Sequence, residues 1–438
     1  MLMKNNDVQE YINKVCSLIK NKDVHYDITL ELQDHMQTLK EEFINSGLSE
    51  EEATKKVISH MGAPELIGHQ LDKAHKAKVG WGFIIPLLGF SLFGLIAMYF
   101  IQSNGVVDYA TSIKMFQKNL MFYILGMVLM IMLYFFDYRK ILPYSKHIYK
   151  VSVLFLISHL LFSVPVNGKY YFHFASISID LVLFSLILLV ISLSGILQDL
   201  NFNKPYEFLK FLGIIIIPGV FMTTMSISYG FLYFIACITL MIISKAKIYQ
   251  VLLCMISTTL GLFTYILPVP YRIHRLIALL NPAGDPTNSG WIYIQLKNLM
   301  DSASAFGNGF TLKPNTVPEL HTDFIFSYIV YTFGFVAAAI LIALITIFIL
   351  KLIKVATITK NPYGKLLVSG FTAILTTEFL LNIGMNFGIS PIIGISLPFM
   401  SFGGSQLVAN MITVGLILSV YRRKDISHNL IKSQIVQK

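Results

Sequence analysis

Charged residues make up only 13% of this 438-residue chain, while 55% are apolar and the mean hydropathy is +0.65. So little charge excludes a disordered chain and is too low for a soluble globular protein. Cysteine is nearly absent. Cys16, Cys237 and Cys254 lie far apart, so neither a disulfide framework nor a zinc motif is available. Walker A and Rossmann glycine signatures are missing too, and nothing points to bound ATP or a nicotinamide cofactor as an energy source. The N-terminus is polar and acidic, without a basic stub and a short apolar run, so no cleaved signal peptide is expected.

What charge there is divides unevenly. The formal net charge of +10 resolves into −3 over residues 1–78 and +13 over residues 79–438. Residues 1–78 read as a small cytoplasmic helical domain. Ser49 with Glu52 three positions later forms a capping box, and Met61-Gly62-Ala63-Pro64 ends one helix and starts another. Ile28, Leu30, Leu32, Met36 and Leu39 recur at helical spacing. The segment resembles the permease-prefix domain that precedes some bacterial membrane proteins.

Residues 79–424 read as an all-α, polytopic membrane domain, followed by a cytoplasmic tail over 425–438. Ten apolar runs of membrane-spanning length are expected at about 80–102, 119–136, 149–165, 179–198, 208–224, 226–244, 248–267, 324–350, 365–388 and 404–421. The tight junction near residue 225 leaves the fifth boundary open. Basic residues cluster on alternate connections, among them Arg139, Lys140, Lys146, Lys150, Lys245, Lys247, Lys351, Lys354 and Arg422. This asymmetry predicts that both termini are cytoplasmic and that the long loop 268–323 is extracellular. The positive charge therefore sets topology and membrane-lipid contact and implies no nucleic acid.

Acids on the outer side are few: Asp108, Asp180, Asp285, Asp301, Glu319 and Asp323. Asp323 stands where the long loop enters the eighth span, near headgroup level. There it could serve as a general base or hold a divalent metal, or it could simply cap the helix. Arg272 and Arg275 could clamp a diphosphate with their guanidinium forks, or could anchor the loop to lipid headgroups. Asp285-Pro286 with Ser289-Gly290 is first of all a turn signal. Glu378, Asn382 and Asn386 recur every four residues as one polar stripe in the ninth span, suited to a cavity or to interhelical hydrogen bonds. The Pro- and Gly-rich stretch after it, 388–405, implies irregular backbone at membrane depth, tolerated only where buried or lining a cavity.

Three blocks carry a resemblance to the SEDS family (shape, elongation, division and sporulation), the RodA/FtsW-type bacterial membrane proteins. They are Asn281-Pro282 through Trp291 with Gln295; Pro318-Glu319 with His321-Thr322-Asp323-Phe324-Ile325-Phe326; and Asn382-Ile383-Gly384 through Leu397-Pro398-Phe399 to Ser401-Phe402-Gly403-Gly404-Ser405. The resemblance implies peptidoglycan glycan-strand polymerisation from lipid II, an undecaprenyl-linked precursor, in the bacterial cell membrane. It further implies a divalent cation, Mg or Mn, and a class B penicillin-binding protein as partner. The family's essential acid falls on Asp323, as catalytic residue and metal holder, and the family's Arg before the Asn-Pro turn matches Arg275. Candidate substrate-binding residues are then Arg272, Arg275, Asp285, Ser289, Gln295, His321, Thr322, Glu378, Asn382, Ser401 and Ser405.

The front half departs from the family pattern. The second outside loop reads Asn167-Gly168-Lys169-Tyr170-Tyr171, without the usual Trp, and the Gln-Pro-Ser-Glu entry to the fourth span is reduced to Asp180-Leu181-Val182-Leu183. Ile227-Ser228-Tyr229-Gly230 lacks the usual acid, and Glu378 stands where Gln is common. A lipid II flippase using Glu378 and the cavity, or a non-catalytic scaffold acting with a penicillin-binding protein, are the alternative readings.

Overall fold

The computed structural model describes residues 6–74, 80–107, 114–166, 169–174, 177–313 and 316–424. Asp108, Asn167, Gly168 and the tail 425–438 lie outside the described residues. The chain divides into two compact units, residues 1–79 with 422–438 and residues 80–421.

The first unit contains α1 (Asn6–Ser17), α2 (His25–Asn45), α3 (Glu50–Met61) and α4 (Pro64–Ala74). The capping box opens α3: Ser49 Oγ accepts from Glu52 N, and the Glu52 carboxylate accepts from Ser49 N. Ile28, Leu32 and Met36, one turn apart along α2, are buried with Ile12, Val15, Ile19 and Val57. Burying one such side chain is worth about 1.5–3 kcal/mol, which holds a four-helix unit of this size together.

In the second unit each expected membrane span corresponds to a helix. In order they are α5 (Trp81–Ser103), α6 (Met115–Phe135), α7 (Ser145–Phe162), α8 (Leu181–Ile196), α9 (Pro205–Met225), α10 (Ile227–Ile243) and α11 (Ile248–Ile266). Two loop helices follow, α12 (Pro270–Leu280) and α13 (Trp291–Asp301). The last three spans are α14 (Ile325–Ile358), α15 (Pro362–Asn386) and α16 (Gly404–Arg422). Seven of the ten are long and apolar enough to cross a membrane on their own, whereas α8 and α10 have 16 and 17 residues and α7 has 18. The multi-pass, helical architecture stands. Besides the loop helices α12 and α13, the described residues add a short antiparallel meander, β1 (Val164–Val166), β2 (Lys169–Phe174) and β3 (Ile177–Ile179), between α7 and α8. The open boundary near 225 falls at Ser226, between α9 and α10.

Helix α15 is central and packs on α8, α10 and α14. It and α16 are the most enclosed of the seven long spans, whereas α6 and α11 turn most of their surface outward. Helix α14 runs 34 residues, about 51 Å at 1.5 Å per residue, and is broken at Gly334 (φ 90°). The preceding loop repairs the break: Asn308 N donates to Tyr331 O at 2.8 Å, and Val336 N donates to Ala305 O at 3.0 Å. A Cβ at Gly334 would sit 2.3 Å from Ala305 O, so only glycine fits this join.

Candidate functional site

Between α15 and α16 the chain is irregular; it is exposed at residues 387–389, buried over 395–401, and closes over the entry to α14. Four phenylalanines fix it: Phe90 on α5, Phe348 on α14, Phe379 on α15 and Phe399 in the turn. All six of their ring pairs lie with centroids 5.4–6.5 Å apart. Each aromatic pair of this kind adds about 0.5–1.5 kcal/mol beyond its buried area.

Polar strands of the same turn then grip the segment Glu319–Asp323. Phe402 N donates to His321 O at 2.8 Å, and Ser401 Oγ donates to Thr322 O at 2.6 Å while accepting from Leu397 N. From α15, Asn382 Nδ2 donates to Asp323 O at 2.8 Å and Asn386 Nδ2 donates to the same oxygen at 3.2 Å. Asn386 Oδ1 in turn accepts from Ser327 N and Oγ. Glu319 and Phe399 both adopt left-handed backbone, φ 56° and 63°. Such conformations cost about 1–3 kcal/mol and persist where the surroundings over-determine them. At Glu319 the bend lets both Thr322 N and Phe324 N reach Glu319 O.

Asp323 is partly buried as a residue, and Ser396 Oγ donates to its Oδ1 at 3.4 Å. The N-cap of α14 is Phe324, one position after Asp323. Thr322 Oγ1 donates to Glu319 Oε2 at 2.7 Å. The His321 ring lies against Phe402 with centroids 5.8 Å apart. Desolvation lowers the His321 pKa, partly opposed by the Glu319 charge. Among the described residues no three His, Cys, Asp or Glu side chains gather as a metal cage. One carboxylate with hydroxyl neighbours instead suits a hard cation held chiefly by water and substrate phosphate.

The polar stripe of α15 divides between two clusters. Asn382 and Asn386 serve the Asp323 strap, while Glu378, fully buried, accepts from Gln406 Nε2 at 2.8 Å. Tyr229 OH lies 3.5 Å from Gln406 Oε1 and donates to Asp180 Oδ2 at 2.6 Å. Asp180 Oδ1 caps α8 through Leu183 N, and Asp180 N donates to Ser405 Oγ at 3.4 Å. The pairs Asp180–Tyr229 and Gln406–Glu378 thus lie side by side where the N-terminal ends of α8, α10 and α16 meet α15. Glu378 and Ser405 belong to this cluster.

The two arginines of α12 also part company. Arg272 donates to Tyr265 O and OH at 2.6 and 2.8 Å and stacks on the Tyr265 ring at 3.8 Å. Arg275 donates to Ile392 O at 3.3 Å and faces a cavity of about 610 Å³, with Asp285, Ser289, Tyr271 and Tyr293 also on its wall. They do not form a two-arginine clamp. Asp285 accepts from Ser289 Oγ at 2.8 Å, Ser289 N at 3.2 Å and Asn288 Nδ2 at 3.1 Å, and these bonds lower its pKa. Gln295 is half-buried on α13 and is not part of the cavity wall.

Ser396, Gln406, Tyr229 and the cavity residues His274, Asn288 and Tyr293 escaped the sequence reading. Ser396 had a signal, since it lies inside the irregular block already marked. Tyr229 had one too, since it stands in the stretch Ile227–Gly230 that departs from the family pattern; Gln406, 177 positions away, had none, because a single polar residue in an apolar helix carries no sequence pattern.

A family model described as cell cycle protein, covering FtsW, RodA and SpoVE, matches residues 81–426. The chain is 39% identical over 159 residues to the peptidoglycan glycosyltransferase RodA of Treponema pallidum, covering 35% of this chain and 37% of the relative. It is 31% identical over 189 residues to stage V sporulation protein E of Bacillus subtilis, covering 42% and 52%. These matches span between about a third and a half of the relatives' own lengths. In fold, it is similar to a chain of a peptidoglycan synthase complex studied for its coordination of polymerization and crosslinking. There the TM-score is 0.66 at 20% identity, covering 79% of this chain and 98% of that one.

Proposed function

The chain belongs to the FtsW/RodA/SpoVE family of cell cycle proteins, and from that premise we propose that it polymerises glycan strands of peptidoglycan from lipid II. The observation that carries the proposal is the strap around Asp323. Two buried asparagines hold its backbone carbonyl, a serine hydroxyl touches its carboxylate, and the residue as a whole is only partly buried. A base that must meet a sugar hydroxyl needs a fixed backbone and incomplete burial together.

In the proposed reaction Asp323 takes the proton of the acceptor sugar's 4-hydroxyl. The oxygen bonds to the donor's anomeric carbon as the bond to undecaprenyl diphosphate breaks. Ser396 orients the carboxylate, and Asn382 and Asn386 hold it at a set distance from the turn 397–403. Alternatively the Asp323 carboxylate would hold a divalent cation, which when bound would neutralise charge on the leaving diphosphate. The positive-inside asymmetry supports cytoplasmic termini and an outward-facing loop 268–323. A class B penicillin-binding protein as partner is what the resemblance to the RodA/FtsW-type proteins implies.

Purified protein, alone and with a class B penicillin-binding protein, is expected to convert lipid II into glycan strands. Asp323→Ala should lower the rate by about 100- to 10,000-fold, the usual cost of losing a general base. Undiminished polymerisation by that variant would sink the assignment. The altered front half favours one second reading, a non-catalytic scaffold, which full complementation in cells by Asp323→Ala would support.

A further inference from the structure

The cavity between α12, α13 and the 388–396 segment has a charge balance unlike that of a phosphate site. Arg275 brings one guanidinium and Asp285 one carboxylate to the same space of about 610 Å³. Neutral partners hold both. Arg275 donates one of its five N–H groups to Ile392 O and lies over the Tyr271 ring, 4.8 Å from its centroid. Asp285 is fixed by Ser289 and Asn288, donors that favour its ionised form without cancelling its charge. A diphosphate would gain from Arg275 and be repelled by Asp285. A group bearing both a carboxylate and an ammonium would pair with each. The rings of Tyr271 and Tyr293 supply the apolar wall that a small organic arm needs.

The location suits a substrate arm. Ile392 lines the cavity and lies four residues before Ser396, whose hydroxyl touches the Asp323 carboxylate. Four extended residues reach at most about 14 Å, so a sugar at Asp323 can send a side arm into the cavity. Peptidoglycan precursors carry a peptide on the sugar, with free amine and carboxylate groups. We propose that this cavity binds that peptide arm, its carboxylate on Arg275 and its ammonium on Asp285. The ligand's identity rests on the polymerase reading; the charge pairing does not.

The test is equilibrium dialysis of the full chain in detergent with a radiolabelled lysyl-alanyl-alanine tripeptide, its C-terminal amide, and inorganic pyrophosphate. Saturable tripeptide binding is expected, at least about tenfold tighter than that of the amide or of pyrophosphate; tenfold corresponds to about 1.4 kcal/mol. Arg275→Gln and Asp285→Asn should each weaken tripeptide binding by a similar factor, and the ligand series on the unaltered chain holds even if a variant misfolds. Pyrophosphate binding as tightly as the tripeptide, equal binding of the amide, or no saturable tripeptide binding would overturn the proposal. A parallel lipid II assay separates the two claims. Polymerisation without tripeptide binding overturns the cavity assignment alone, and tripeptide binding without polymerisation overturns the polymerase reading alone.

Discussion

Two polar clusters grow from one helix, and they differ in where they end. Asn382 and Asn386 on α15 end on the backbone carbonyl of a half-exposed aspartate at the mouth of α14. One turn earlier, Glu378 ends on Gln406, whose Oε1 lies 3.5 Å from the Tyr229 hydroxyl that donates to buried Asp180. The first cluster fixes the backbone of Asp323, a residue that is only partly buried. The second lies where four helices meet and spends its acids internally, as buried polar groups in lipid must be paired. An acid at membrane depth is a functional candidate by default; the proposed function places the chemistry on the more exposed acid instead.

Breaking the support shared by both clusters should have the largest effect. Phe399→Ala removes one ring of the four-phenylalanine group and is expected to cost about 3–5 kcal/mol, read as a large fall in melting temperature of the purified protein. A loss below about 1 kcal/mol would mean that the turn 397–403 is held by its hydrogen bonds alone.

Next is Asn382→Ala, which takes the donor from Asp323 O and from Ile395 O. A misplacement of about 1 Å at a reacting group costs on the order of 100-fold in rate. The expected signature is a drop in kcat for lipid II polymerisation of that order with KM little changed. A rise in KM alone would move Asn382 from positioning the base to binding substrate.

The smallest expected effect concerns His321. Its folded pKa is lowered by burial, so its protonation opposes folding: the contribution is fully present above the ordinary histidine pKa of about 6.5 and is lost as pH falls through the folded value. Melting temperature should therefore decline on acidification below about pH 6.5, and His321→Gln should flatten that decline. An unchanged profile would show that the acid sensitivity comes from other groups.

Much of the architecture was legible because lipid imposes it. Apolar runs of spanning length have few alternatives to helices, and α5 to α11 and α14 to α16 lie where hydropathy sets them. The Ser49–Glu52 box was legible because both partners lie within one turn. The polar stripe of α15 was legible as a stripe, but not as two clusters, because what divides it is contributed by distant segments. Asn386 meets Asp323 across 63 positions and Gln406 meets Glu378 across 28. The two-arginine clamp failed for a local reason: Tyr265, seven residues before Arg272, offers that guanidinium two oxygens and a ring face.

The contrast between the clusters is tested most directly by one assay of lipid II polymerisation on Asp323→Ala and Glu378→Gln side by side. Gln keeps an oxygen where Gln406 donates, so Glu378→Gln should stay within about tenfold of the unaltered chain, while Asp323→Ala falls by about 100-fold or more. Abolished activity in Glu378→Gln with activity retained in Asp323→Ala would contradict the account and place the chemistry in the buried cluster.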